Sequence, residues 1–279
     1  MIKNQFKTVL LLGVLTSILL IIGSFWGASG LAIALVFSIA MNVGSYFYSH
    51  KLVLKLYKAK EITQIDNPEL HNIVEEVSKE AKVPKPKIYL IPSESPNAFC
   101  TGPNPKKAVL GYTQGILNLL DKEELKGVTA HEIAHDKNRD MLITTIAATI
   151  AAVISYAAII ARFGAMFGGY RERDSGNMFQ LLALAIVAPL AATIIQLAIS
   201  RSREFVADAT GAKLANSTEG LSSALKKIHT SVKTTPMTLG HPSTSSLFIA
   251  NPFKGSFVSI FSTHPSLEKR LKRLEDLKI

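Results

Sequence analysis

Residues 8–50 contain no Asp, Glu, Lys or Arg, and no other feature constrains the chain as strongly. A helix needs about 20 apolar residues to cross the hydrocarbon of a bilayer, so this run is too long for one span. It is interrupted at Phe25-Trp26-Gly27-Ala28-Ser29-Gly30, where small residues favour a turn and the aromatic pair suits a membrane interface. The run therefore reads as a hairpin of two helices, residues 8–26 and 30–49. A cleavable signal peptide does not fit, because the apolar core is too long and a second span follows at once. Two more uncharged runs, 141–161 and 175–200, each exceed 20 residues. They predict a second pair of spans, 141–161 and 178–200, with Pro189 as a tolerated kink. The loop between them carries Arg162, Arg171 and Arg173, which resist translocation. Two long buried helices of a soluble domain are the competing reading of this pair.

Charge sets the orientation. Lys3 and Lys7 precede the first helix, and Lys51, Lys55, Lys58 and Lys60 follow the second. Basic residues stay on the cytoplasmic side, so both ends of the hairpin are expected there. The net charge is +10, with 12 basic and six acidic residues in 201–279. No basic-aromatic motif accompanies it, so nucleic acid is not the expected partner. The anionic inner face of a membrane is. The single cysteine, Cys100, excludes an intramolecular disulfide and a Cys-based metal cluster.

Between the apolar runs the chain has soluble character. Leu70, Ile73, Val74 and Val77 recur at helical spacing and predict a helix over 68–82, stopped by Val83-Pro84-Lys85-Pro86. Residues 87–91 and 108–112 read as strands, and the Ser-, Pro-, Asn- and Gly-rich 93–107 between them reads as a loop. A short helix over 113–120 comes next. Asp121 and Glu124 then have capping-box spacing and open another helix.

That helix carries His131-Glu132-Ile133-Ala134-His135. Two His four residues apart share a face, so both imidazoles can reach one ion. Glu132 can reach a water beside that ion without ligating it, and so act as general base. Zinc in a catalytic site takes three protein ligands and keeps one position open. Candidates for the third are Glu204, Glu219, His229, His241, His264 and Glu268. Glu204 fits best, in Arg201-Ser202-Arg203-Glu204-Phe205-Val206-Ala207-Asp208-Ala209 just after the last apolar run. Asp208, four residues on, can accept a hydrogen bond from a ligand His and orient its ring. Surface charge neutralised by Arg201 and Arg203 is the plainer reading of this pair.

HEIAH, then SREFVADA after two apolar runs, then Thr263-His264-Pro265 together resemble the HtpX-type membrane zinc metalloproteases, bacterial relatives of the prenyl-peptide (CAAX) proteases. The resemblance covers essentially the whole chain. Ser266 stands where many members have a second Pro, which touches no chemistry. The resemblance implies one Zn2+ on His131, His135 and Glu204, with Glu132 as base. It implies ATP-independent cleavage of misfolded membrane proteins at the cytoplasmic face of a bacterial inner membrane, under stress. It also makes Asn97-Ala98-Phe99 an edge where an extended substrate could pair by strand addition. His264 or Arg270 could stabilise a tetrahedral oxyanion, although ordinary capping and a packed helix face account for both.

The expected fold is a mainly α membrane protein with four transmembrane helices. A cytoplasmic α+β zincin-like catalytic domain is split around the second pair, giving segments 1–50, 51–140, 141–200 and 201–279. The rival functions are a prenyl-peptide processing protease and a non-enzymatic membrane scaffold with a structural metal.

Overall fold

A computed structural model describes residues 27–138, Asp140, 201–253 and 265–279, with scattered helical positions between 13 and 24. The runs 141–161 and 178–200, most of 8–26, and His264 lie outside the described residues.

Helix α1 spans Gly27–Leu56, 30 residues. Its section Gly27–Gly44 is long and apolar enough to cross a membrane, and almost none of it is buried against protein. Ile33, Val36, Phe37 and Val43 point outward, as a lipid-facing surface requires. The helix starts at Gly27, whose φ of +70° suits a residue without a side chain, so Gly27-Ala28-Ser29-Gly30 are helical and not part of the predicted turn. At the other end it runs seven residues past the expected 49, because Val53 and Tyr57 are buried in the body beyond. Lys51, Leu52 and Lys55 stay exposed on the other side of this extension.

The body is a four-stranded sheet in the order β1-β2-β4-β3, with β1 Lys60–Glu61, β2 Lys87–Ile91, β3 Ala98–Thr101 and β4 Val109–Thr113. β2 and β4 are parallel, and both outer pairings are antiparallel. β3 falls inside the stretch whose composition reads as a loop. All four of its residues are buried, so it shows none of the alternation that marks a half-exposed strand. Its pairing with β4 holds it.

Helix α2, Pro68–Ala81, follows the sequence closely. The Asn67 side chain accepts from the Leu70 amide, Pro68 occupies the first turn, and Lys82 ends the helix at φ +58°. Its stripe Leu70, Ile73, Val74 and Val77 is at most 1% exposed. The short α3, Gln114–Leu119, then leads into α4, Lys122–Lys137. The capping box forms in both directions: Glu124 N–H donates to Asp121 Oδ1 and Asp121 N–H to Glu124 Oε2, each at 3.0 Å. Residues 127–134 are buried on every side, so α4 is a central helix rather than an amphipathic surface one.

Two helices from the other side of 141–200 pack on α4: α5, Arg201–Ala215, and α6, Glu219–Thr234. Glycines let the backbones approach. A Cβ on Gly127 would lie 2.6 Å from the Leu221 nitrogen, and one on Gly211 would lie 2.8 Å from both Cα and N of His131. Gly211→Ala is therefore expected to cost about 1–3 kcal/mol by overpacking, read as a lowered unfolding temperature. An unchanged transition would mean that the crossing has slack. Glu124 adds a polar tie, accepting from Ser223 Oγ at 2.6 Å and Lys227 Nζ at 2.7 Å on α6.

The C-terminal α7, Leu267–Glu275, packs on α5 and α6 through Leu274 and Arg270. A smaller aromatic cluster joins the foot of α1 to β3 and to residues 242–250. Tyr57 packs on Phe248 and Phe99 with ring centroids 5.1 and 6.2 Å apart, and its hydroxyl hydrogen-bonds Thr244 Oγ1.

Candidate metal centre

His131 and His135 lie one turn apart on α4 and face α5, which brings Glu204 against them. The two Nε2 atoms are 3.2 Å apart. Glu204 Oε2 is 3.8 Å from His131 Nε2, and Glu204 Oε1 is 3.6 Å from His135 Nε2. Tetrahedral ligands about 2.0–2.1 Å from one zinc ion are separated by about 3.3 Å, so two imidazoles and a carboxylate at these spacings suit that ion. Among the described residues this is the one group of His, Cys, Asp and Glu with metal-ligand geometry. Glu219, His229, His241 and Glu268 are not part of it.

His131 is held from behind. His131 Nδ1 is 2.9 Å from Asp208 Oδ1. Asp208 in turn takes a two-pronged contact from Arg270, Nε to Oδ2 at 2.9 Å and Nη2 to Oδ1 at 2.6 Å. Arg270 Nη1 donates to the Ile249 carbonyl at 3.0 Å and stands 3.9 Å from Glu204 Oε2. Sequence reasoning favours a plain helix face for Arg270, with an oxyanion role as the alternative. The structure gives its guanidinium to Asp208 and Ile249 instead. One signal points to it: Arg270 lies at helical spacing between the half-buried Leu267 and the buried Leu274, so a cation occupies an apolar position.

The electrostatics suit a cation. Burial pulls His131 down to about 4, against the upward pull of Asp208, so this imidazole stays neutral, as a ligand must. Burial also works against charge on His135, but Asp140, Glu204 and Glu132 outweigh it and lift the group to about 9. Burial pushes Glu132 up to about 7, with Glu204 adding to the rise, while His135, Arg270 and the backbone amide of Cys100 hold it back. A carboxyl near 7 is poised for proton transfer at neutral pH. Asp208, although buried, is held down to about 2 by Arg270 and His131.

The segment Asn97-Ala98-Phe99 has a different environment from the one expected of an open substrate edge. All three residues are fully buried. The Ala98 carbonyl accepts from the Ile249 amide at 3.1 Å, and Asn97 Nδ2 donates to the Ala250 carbonyl at 2.7 Å. Residues 249–250 thus cover the edge at Ala98, and Phe99 packs 5.6 Å from Phe248. Cys100 is a small buried group, its thiol pushed well up by burial. His264, the other oxyanion candidate, lies outside the described residues.

Residues 64–278 match the model of peptidase family M48. The chain is 49% identical over 276 residues to a protease HtpX homolog of Desulforapulum autotrophicum, covering 97% of this chain and 89% of that one. It is 50% identical over 280 residues to a homolog from Persephonella marina, covering 98% and 97%. It is also 47% identical over 274 residues to a homolog from Pyrococcus furiosus, covering 97% and 95%. Among solved structures, S. mikatae Ste24p has the same fold at a TM-score of 0.55 and 21% identity, over 98% of this chain and 66% of that one. The helix-borne histidine pair, the acidic residues that meet it and these matches have one explanation: the chain belongs to peptidase family M48.

Proposed function

We propose that the protein is a zinc endopeptidase anchored in a bacterial inner membrane, cleaving misfolded or damaged membrane proteins at the cytoplasmic face without ATP. The observation that carries this is the meeting of His131, His135 and Glu204 at ligand spacing, with Glu132 on the same buried helix. Support for the membrane part comes from α1, whose outer half is apolar and exposed while its foot is packed against β3 beside the site. Lys51, Lys55, Lys58 and Lys60 around that foot favour the cytoplasmic side. ATP-independence and a role in protein quality control rest on the resemblance to HtpX-type proteases.

His131, His135 and Glu204 would hold Zn2+, which lowers the pKa of a nearby water and polarises a peptide carbonyl. Asp208 fixes the His131 ring, keeping its Nε2 directed at the site. Glu132, steadied by the Cys100 amide, would accept a proton from a water and return it to the leaving amine.

The test is metal analysis and peptide hydrolysis of purified full-length protein in detergent. Wild type is expected to carry about one zinc per chain and to lose activity to a chelator. Glu204→Ala is expected to lose most of that zinc and with it hydrolysis. Undiminished zinc in Glu204→Ala would move the third ligand elsewhere. Zinc without chelator-sensitive hydrolysis would favour a scaffold, and selective cleavage of prenylated over plain peptides a processing protease.

A further inference from the structure

His131 is steadied by an aspartate that an arginine holds; His135 faces a second such pair, on different elements. Asp140 lies just past the end of α4, its Oδ2 3.9 Å from His135 Nδ1. Arg203, on the first turn of α5, approaches Asp140 Oδ1 through Nε at 3.5 Å. Both side chains are at least nine-tenths buried, at 7% and 9% exposure. A buried guanidinium is costly unless a counter-charge lies close, and among the described residues Nη1 and Nη2 of Arg203 have no hydrogen-bond partner. The Asp140 carboxyl, lying between Arg203 Nε and His135 Nδ1, is placed to answer both. Arg203 also immediately precedes Glu204, so this pair ties the backbone of the third ligand candidate to the second.

We infer that Asp140, held by Arg203, is a positioning residue for His135, fixing its ring so that Nε2 faces the site, as Asp208 held by Arg270 does for His131. The inference rests on the reading of His131, His135 and Glu204 as a metal centre. Both act through His135. Their effect is on ligand geometry and affinity, where loss of such outer partners usually costs 10–100-fold.

The test uses metal-stripped full-length protein titrated with Zn2+ by calorimetry and with Co2+ by visible absorption, which reports ligand geometry directly. Asp140→Ala is expected to weaken Zn2+ binding about 10–100-fold and to shift the Co2+ bands. Arg203→Met is expected to do the same to a smaller degree. The double variant should lose little more than Asp140→Ala alone, because the two act through one another. Asp140→Asn, which preserves shape, covers the case in which Asp140→Ala fails to fold; it should keep the native near-ultraviolet dichroism and still shift the Co2+ bands. His135→Ala separates the two levels of the argument. If it abolishes tight binding while folded Asp140 variants keep wild-type affinity and spectrum, the positioning role is overturned and the metal centre stands. If His135→Ala binds as wild type does, the metal-centre reading falls and the inference falls with it.

Discussion

Glu132→Gln is expected to retain zinc at wild-type occupancy and to lower kcat for peptide hydrolysis by about 10²–10⁴-fold, the usual worth of a positioned general base. The side chain is 3% exposed and lies one residue from His131, on the helix that carries both imidazoles. Gln keeps its size and can still accept from the Cys100 amide, but it cannot take a proton. Because Glu132 is not part of the ligand group, metal content and fold should not change. The pH dependence follows from the same burial. Desolvation lifts Glu132 to about 7, and a cation beside it favours the ionised form. Activity should therefore fall on acidification through a value below 7, as the base becomes protonated, and the residual activity of Glu132→Gln should lack that limb. Retained wild-type kcat in Glu132→Gln would remove it from the reaction.

Arg270→Met is expected to be among the most damaging single changes. Arg270 is 3% exposed and makes a two-pronged contact with Asp208, itself 2% exposed. Met fills much of the volume but leaves Asp208 buried beside Glu204 without its main counter-charge. Removing one partner of such a pair typically costs about 3–5 kcal/mol, or about 6–20 °C in unfolding temperature for a body of this size. Zinc affinity should fall as well, since Asp208 orients His131. The Ile249 carbonyl also loses its donor, which loosens the 249–250 segment from β3. Differential scanning fluorimetry with and without Zn2+ reads both effects. A loss under about 1 kcal/mol with zinc binding unchanged would show that Asp208 does not depend on Arg270.

Several features are legible in the residues alone because their signals are local. The α2 stripe, its Asn67-Pro68 start, the Asp121–Glu124 capping box and the histidine pair all depend on spacings of three or four residues, which the helix fixes. Glu204 and Asp208 stand out by the same spacing and meet the two imidazoles. Other features carry no such signal. β3 is buried on both faces and only four residues long, so nothing in its pattern separates it from the surrounding Ser- and Pro-rich chain. The covering of Ala98 by Ile249 is a backbone contact, blind to side-chain identity. The role of Arg270 depends on which carboxylate its buried position meets, and that carboxylate lies on another helix.

The long apolar stretches, the local helices and the chemical types at the metal centre can be read from the order of residues, because hydropathy and short-range spacing are written along the chain. How α5 is laid across α4 at Gly211, which arginine answers which aspartate, and the covering of the edge at Ala98 emerge only when the chain is folded. Contacts between distant segments are set by packing density and by the requirement that buried charges find partners. Neither leaves a periodic trace in the order of residues.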